Sequence, residues 1–118
     1  MSPTVLIVDD HAAFRSSARL LLESEGFQVI GEADNGESAV EKTAELGPDL
    51  VLLDVQLPDI DGFEVASRVT HTDSSPVVIL VSSREAADFG PLVSSCGARG
   101  FVAKADLSGD RVRSLLDG

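Results

Sequence analysis

Residues 51–54 read Val-Leu-Leu-Asp, an apolar run that stops at a carboxylate, and this pattern indicates the fold. Three further runs end in the same way: Val5-Leu6-Ile7-Val8 before Asp9-Asp10, Val77-Val78-Ile79-Leu80-Val81 before Ser82, and Phe101-Val102-Ala103 before Lys104. Short continuous apolar runs are typical of strands in a parallel sheet that helices cover on both faces. Because parallel strands all point the same way, we expect their polar ends to meet at one edge of the sheet, where open α/β sheets bind ligands.

The spacing of the predicted strands defines a repeating unit. They begin near positions 4, 27, 50, 77 and 100, so each interval has room for a strand, a loop and a helix, which is the βα unit. Five such units with right-handed crossovers predict a three-layer, doubly wound α/β fold. We expect a five-stranded parallel sheet in the flavodoxin-like order 2-1-3-4-5. With 118 residues, the chain from 1 to 118 is interpreted as one domain.

The first two helices have clear boundaries in the sequence. Apolar spacing predicts one helix at about 12–25, with Gly26 as its C-terminal stop. A second helix is predicted to begin after the cap residue Asn35 and to end at Gly47-Pro48. Its buried face is predicted to consist of Ala39, Val40, Thr43 and Ala44.

The later helices are less regular. A third is predicted around 63–69 and a fifth at about 107–116, and the segment 71–76 is predicted to be a polar loop. Between them, Asp88 is interpreted as the cap of a fourth helix that continues across Gly90-Pro91. Proline is tolerated in the first turn of a helix, where its missing N–H would have no partner.

Composition narrows the class of protein. Nine basic and twenty acidic residues give a formal net charge of −11, so direct nucleic-acid binding by this domain is not expected. The longest strongly apolar run is Val77 to Val81, which is too short to span a membrane. The N-terminus lacks the pattern of a secretory signal, and Cys96 is the lone cysteine. These features predict a cytoplasmic protein without an internal disulfide.

The polar strand ends suggest a chemistry. In the predicted order, the first and third strands are neighbours, so Asp9, Asp10 and Asp54 should lie close together. Two carboxylates ~4 Å apart repel by roughly 4 kcal/mol at an effective dielectric constant of about 20, and a cation relieves that repulsion. Hard oxygen ligands favour Mg²⁺ over zinc. A carboxylate can then attack phosphorus, while Ser82 donates to one phosphoryl oxygen and Lys104 supplies charge to another.

Four motifs resemble those of response-regulator receiver domains: Val-Asp-Asp at 8–10, the segment 52–62, Val-Ser at 81–82 and Phe-Val-Ala-Lys at 101–104. The resemblance implies that Asp54 accepts a phosphoryl group from a phosphohistidine of a sensor histidine kinase. It implies that Mg²⁺ is bound by Asp10, Asp54 and the backbone carbonyl of Gln56, with Asp9 acting mainly through a metal-bound water. It further implies that Ser82 and Lys104 hold the phosphoryl group and that Phe101 is an aromatic switch residue.

Two further segments are similar to the subfamily of nitrate/nitrite regulators, which have a LuxR-type output domain: Asp-Asp-His-x-x-Phe-Arg at 9–15 and Gly-Glu-Ala-Asp-Asn-Gly-Glu at 31–37. That similarity implies control of transcription through a C-terminal helix-turn-helix that this chain does not contain. The alternative is a stand-alone receiver that acts through protein contacts. Phosphorylation would change a surface made by the fourth helix, the fifth strand and the fifth helix, which could also form a homodimer.

Two other functions remain open from the sequence. A small aspartate-nucleophile phosphohydrolase would use the same carboxylates and metal, but the chain has no spare length for a cap domain. A degenerate receiver would serve only as an interaction module, and the complete set of polar residues argues against it. We therefore expect a switch that supports its own phosphorylation and autodephosphorylation and is not an enzyme acting on other substrates.

Several residues carry smaller predictions. Ala105 follows Lys104 where many receivers have proline, and we expect a trans bond there. Gln56 and Arg84 are predicted to tune the lifetime of the phosphoryl group, and Gly62 is predicted to need a positive φ angle. Four further residues are expected to have structural roles and not to bind the metal. Asp59 and Asp61 are expected in a turn, His11 on the rim of the site and Cys96 in the core.

Overall fold

Five parallel strands form one sheet in the computed structural model, which describes residues 2–71 and 75–117. The strands are β1 (Thr4–Val8), β2 (Gln28–Ala33), β3 (Leu50–Asp54), β4 (Val77–Ser82) and β5 (Gly100–Ala103). Their order is β2-β1-β3-β4-β5, which confirms the predicted doubly wound topology. Residues 72–74 of the predicted loop at 71–76 lie outside the described part of the chain.

The helices are α1 (Ala12–Ser24), α2 (Gly36–Leu46), α3 (Gly62–Thr70), α4 (Leu92–Ser95) and α5 (Gly109–Asp117). Helix α2 begins as predicted, because the side chain of Asn35 accepts a hydrogen bond from the backbone N–H of Ser38, and it ends at Gly47 in the left-handed conformation. One predicted member of its buried face is wrong. Ala44 is exposed, whereas Ala39 and Thr43 are buried and Val40 is half-buried.

The core consists of two apolar layers, one on each face of the sheet. Because side chains alternate along a strand, β3 contributes Val51 and Leu53 to one layer and Leu50 and Leu52 to the other. Residues of α2 and α3 and buried Cys96 complete the first layer, while α1 and α5 complete the second. The three-layer arrangement and the core position of Cys96 are therefore confirmed. None of the helices in the described ranges is long and apolar enough to cross a membrane.

The fourth helix differs from the prediction. Asp88 does not cap an α-helix, since Ala86–Phe89 forms a 3₁₀ turn in which Glu85 and Asp88 make a capping box. Gly90 then adopts φ 59° and ψ −136°, which is not helical, and Pro91 precedes the four residues of α4. A proline disfavours helical backbone at the residue before it, and glycine permits the alternative conformation. The Gly-Pro step therefore divides the predicted helix.

Two other backbone predictions have clear outcomes. The prediction of a positive φ angle at Gly62 is wrong, because this residue begins α3 with ordinary helical backbone. A glycine is required there for space, as a Cβ atom would lie 2.4 Å from the carbonyl oxygen of Asp54. The Lys104–Ala105 bond is trans as predicted, like every other peptide bond in the described ranges.

Helix α5 begins later than predicted. Residues 104–106 form a 3₁₀ turn, and the helix starts at Gly109 because the hydroxyl of Ser108 accepts a hydrogen bond from the backbone N–H of Arg111. At its other end, Arg99 donates to the backbone carbonyls of Leu115 and Leu116 at 3.1 and 3.2 Å. This contact satisfies carbonyl groups at the end of α5.

Candidate functional site

Strand register brings the predicted site residues to one edge of the sheet. Val8 on β1 pairs with Leu53 on the adjacent strand β3. Asp9 directly follows Val8 and Asp54 directly follows Leu53, so the two carboxylates lie side by side at the ends of these strands. Asp54 is opposite Val81 on β4, and Ser82 is opposite Ala103 on β5. Asp9, Asp54, Ser82 and Lys104 therefore lie at the carboxyl ends of four neighbouring strands, as the sequence predicted.

The three predicted carboxylates form one cluster. Asp9, Asp10 and Asp54, together with His11, can each offer a ligand atom such that all four atoms lie within 4.8 Å of one another. Asp9 and Asp54 are buried, whereas Asp10 and His11 are exposed. His11 Nδ1 lies 3.1 Å from an oxygen of Asp9 and 3.0 Å from an oxygen of Asp10. The predicted rim position of His11 is confirmed, and the residue also contacts the carboxylates directly.

Lys104, which directly follows the carboxyl end of β5, contacts this cluster. Its ammonium Nζ lies 2.6 Å from Asp9 Oδ2 and 3.6 Å from Asp54 Oδ2. Asp9 Oδ2 is buried and has no well-aligned hydrogen bond to the described residues, so this ion pair compensates its charge. Lys104 Nζ also lies 4.4 Å from the centre of the Phe14 ring, which makes a cation–π contact. Lys104 is thus held between two carboxylates and an aromatic face.

The electrostatics of Asp54 differ from those of an ordinary carboxylate. Burial of its carboxyl group, followed by the negative charge of Asp9, raises the pKa of Asp54 to about 6. Lys104 and the backbone N–H of Gln56, which donates to Asp54 Oδ1 at 3.2 Å, act in the opposite direction without reversing the shift. A cation in the cluster would favour the ionised form of Asp54. The oxygen donors present fit a hard divalent cation such as Mg²⁺.

Ser82 and Phe101, the other predicted phosphoryl-binding and switch residues, lie on the neighbouring strands β4 and β5. Ser82 is fully buried, and its hydroxyl accepts a hydrogen bond from the backbone N–H of Arg84 at 3.1 Å. Arg84 is exposed on the rim. Phe101 is half-buried, with its ring centroid 5.9 Å from that of Phe89, which lies 5.5 Å from that of Phe63. We call these three rings the phenylalanine row.

Sequence reasoning missed Arg15 as a supporting residue. Its guanidinium donates to the backbone carbonyl of Asp9 at 2.7 Å and pairs with Glu32 at 3.0 Å. Arg19 pairs with the same carboxylate at 2.9 Å. Burial raises the pKa of Glu32, but the hydrogen bonds from Arg19 and Arg15 outweigh this effect and leave the pKa below its ordinary value. The only available signal was the position of Arg15 within the 9–15 motif.

The two other carboxylates of the β3–α3 loop lie outside the cluster in the described part of the chain. Asp61 caps α3 by accepting from the backbone N–H of Glu64 at 2.9 Å. Asp59 accepts from the backbone N–H groups of Gly36 and Glu37 on α2. Both are exposed, as predicted for solvated turn residues, but the contact of Asp59 with α2 was not predicted.

The chain is similar in sequence to proteins named as response or transcriptional regulators. The response regulator GacA of Pseudomonas aeruginosa is 38% identical over 101 residues, which are 85% of this chain and 47% of that protein. The transcriptional regulatory protein YdfI of Bacillus subtilis is 35% identical over 115 residues, which are 96% of this chain and 53% of that protein. The chain thus spans about half the length of these curated relatives.

Solved structures similar to this chain, and the family model that matches it, are also those of response regulators. The structure of a two-component response regulator of the LuxR family from Aurantimonas sp. SI85-9A1 has a TM-score of 0.90 at 26% identity, covering 100% of this chain and 87% of that chain. A signal receiver domain assigned to a response regulator NarL from Mycobacterium tuberculosis has a TM-score of 0.88 at 32% identity, covering 99% and 98%. The model of the response regulator receiver domain matches residues 5–114. With a match over nearly its whole length, the chain belongs to the response regulator receiver domain family.

Proposed function

We propose that this chain is a phosphorylation-controlled switch in which Asp54 accepts a phosphoryl group from a phosphohistidine of a sensor histidine kinase. One observation carries the proposal: Asp54 is a buried carboxylate that lies within the acidic cluster and 3.6 Å from the Lys104 ammonium. In this environment the proposed nucleophile would belong to a candidate cation site and lie near a positive charge. Both are needed to stabilise the charge of a transferring phosphoryl group.

In the proposed site, Asp10, Asp54 and the backbone carbonyl of Gln56 would hold Mg²⁺, and Asp9 would act mainly through a metal-bound water. The bound ion would neutralise phosphoryl oxygens and allow an anionic nucleophile to approach. An oxygen of Asp54 forms the new bond to phosphorus, and the phosphorus–nitrogen bond of the phosphohistidine breaks. The departing imidazole nitrogen keeps the electron pair, and any proton needed to form neutral imidazole comes from solvent.

The other side chains would stabilise the phosphorylated state. Lys104 already lies between Asp9 and Asp54, so its ammonium can reach a phosphoryl oxygen on Asp54 with little movement. The hydroxyl of Ser82 would donate to a second phosphoryl oxygen. Because that oxygen is charged, this hydrogen bond would be stronger than one to a neutral acceptor. Gln56 and Arg84 are both exposed near this edge, where they would tune the lifetime of the phosphoryl group.

The signal would pass to the surface formed by the 86–95 segment, β5 and α5. Movement of Ser82 towards the phosphoryl group would let the Phe101 ring turn inward. The proposed result is a changed surface that contacts a partner or forms a homodimer. These relatives are about twice as long as this chain, and one of them, YdfI, is named as a transcriptional regulatory protein. This supports control of transcription through a helix-turn-helix domain, which we propose to act in the cytoplasm.

Labelling of the Asp54→Asn variant tests the proposal. The variant should lose Mg²⁺-dependent incorporation of phosphoryl groups from acetyl phosphate, because an amide is not a nucleophile for phosphorus. The control is Asp61→Asn, which changes an exposed carboxylate on the same loop and should be labelled like the wild type. Labelling of Asp54→Asn at the wild-type level would remove Asp54 from this role. Steady turnover of a phosphomonoester, in place of one phosphoryl group per chain, would favour a phosphohydrolase.

A further inference from the structure

The Asp59 carboxylate connects the β3–α3 loop to a different helix. Its Oδ1 accepts from the backbone N–H of Gly36 at 2.7 Å, and its Oδ2 accepts from that of Glu37 at 2.9 Å. Asn35 takes the next N–H, that of Ser38, at 2.8 Å. The first three amides of α2 are therefore satisfied by two side chains, and one of these comes from the loop that follows β3.

The same contact is closely packed. A Cβ atom on Gly36 would lie 2.3 Å from Cγ1 of Ile60, so only glycine allows the loop to approach α2 this closely. Farther along α3, Arg68 lies 3.4 Å from the carboxylate of Glu37. Packing, hydrogen bonds and an ion pair thus join the beginning of α2 to the loop and to α3.

The loop at 55–61 is also fixed at both ends. The backbone N–H of Val55 donates to the carbonyl of Val81 on β4 at 3.0 Å, and the N–H of Gly62 donates to the carbonyl of Val55 at 2.8 Å. Gln56 lies between these anchors and the Asp59 contact, and its own N–H donates to Asp54. The backbone at Gln56 is therefore restrained by the strand on one side and by α2 on the other.

We infer that Asp59 is a positioning residue that sets the backbone of the 55–61 loop for cation binding and couples the beginning of α2 to the acidic cluster. The inference rests on the proposed function, in which the carbonyl of Gln56 is a ligand of Mg²⁺. Asp59 does not itself join the cluster formed by Asp9, Asp10, His11 and Asp54. Its effect passes through the loop backbone, in the way that outer groups orient direct metal ligands.

The test compares Mg²⁺ binding by Asp59→Ala with binding by the wild type. Calorimetry should show about tenfold weaker binding in the variant, the lower end of the effect of losing an outer orienting group. Asp59→Asn keeps one acceptor oxygen and should fall between the two. In the wild type, the amide resonances of Gly36 and Glu37 should shift during a Mg²⁺ titration, and this response should be lost in Asp59→Ala.

Two variants control for the simple loss of a helix cap. Asn35→Ala removes the other capping side chain of α2 and leaves the Asp59 contact in place, while Asp61→Ala removes the cap of α3 from the same loop. Both should bind Mg²⁺ within about twofold of the wild type, although each loses a similar capping interaction. If Asp59→Ala unfolds, Asp59→Asn provides the same comparison.

The outcomes separate this inference from the proposed function. Equal Mg²⁺ affinity of the Asp59 variants and the two controls would show that Asp59 is only a helix cap. Unchanged responses of the Gly36 and Glu37 amides in the Asp59 variants would lead to the same conclusion. A wild-type protein that fails to bind Mg²⁺ at all would overturn the proposed cation site, and this inference with it.

Discussion

Two segments that follow neighbouring strands of the sheet are built very differently. After β3, the 55–61 loop leads into α3, a nine-residue helix that is capped by Asp61 and buries Val65, Ala66 and Val69. After β4, a 3₁₀ turn and the four-residue helix α4 follow, and neither contains a buried residue. Segments with few buried apolar contacts open at a lower free-energy cost than well-packed ones. The acidic cluster therefore lies beside a well-packed segment, whereas the adjacent segment has the lower free-energy cost of opening.

The largest expected effect is that of the buried Asp54 charge on the free energy of unfolding. The pKa of Asp54 is raised from 3.8 to about 6, so the folded protein holds a proton between about pH 4 and pH 6 that the unfolded chain releases. The contribution of Asp54 to stability therefore falls as the pH rises through this window, and above it the ionised carboxylate costs about 2–3 kcal/mol. Asp54→Asn should raise the metal-free free energy of unfolding by this amount near pH 7.5, as measured in urea.

The control for that prediction is a comparison of the wild type and Asp54→Asn at low pH. Near pH 3.5 Asp54 is mostly protonated in both the folded and the unfolded wild type, so the wild type and Asp54→Asn should then unfold at similar urea concentrations. A stability difference that does not depend on pH would show that charge is not its cause.

The next effect tests the packing difference directly. Val65 on α3 is fully buried, whereas Leu92 on α4 is 50% exposed. Val65→Ala should lower the free energy of unfolding by about 2 kcal/mol, because it leaves a cavity in the core. Leu92→Ala removes more atoms but should cost less than about 0.5 kcal/mol. Similar losses for the two variants in urea unfolding would contradict the comparison.

The smallest effect concerns the break before α4. Replacing both Gly90 and Pro91 with alanine should let the 86–95 segment form one helix, because both residues oppose helical backbone. The expected gain in stability is about 1 kcal/mol or less, and the amides of residues 86–95 should exchange more slowly with solvent. The measurement is hydrogen exchange followed by NMR. Unchanged exchange would mean that packing, and not the Gly-Pro step, keeps this segment short.

The sheet and the main site residues could be predicted because topology determines them. Once four apolar runs are identified as parallel strands, the residues that end them must meet at one edge, so Asp9, Asp54 and Lys104 needed no knowledge of loop paths. The cluster distances agree with that reasoning. Helix caps such as Asn35 were also predictable, because capping depends on a few adjacent residues.

The remaining features depend on competition or on distant contacts. Around Asp88, apolar spacing favoured a helix while Gly90-Pro91 opposed it, and the pattern alone did not show that the local backbone would prevail. The contacts of Asp59 with α2 and of Arg15 with Asp9 join residues on different elements. They depend on the path of a loop and on side-chain reach, neither of which appears in a hydrophobic pattern. Gly62 does not have the positive φ angle that the turn pattern predicts, and close packing against Asp54, which no local pattern shows, is the reason for a glycine there.

The phenylalanine row has a consequence for how the two segments communicate. Its rings come from α3, the 3₁₀ turn and β5, so it bridges the well-packed segment and the loosely packed one. The half-buried rings are neighbours, with centroids 5.5 and 5.9 Å apart, so rotation of one ring changes the room left for the next. The chain has five phenylalanines and no tryptophan or tyrosine, so these three rings are most of its aromatic content. Isotope labelling of phenylalanine alone would therefore give a spectrum simple enough to follow both segments at once.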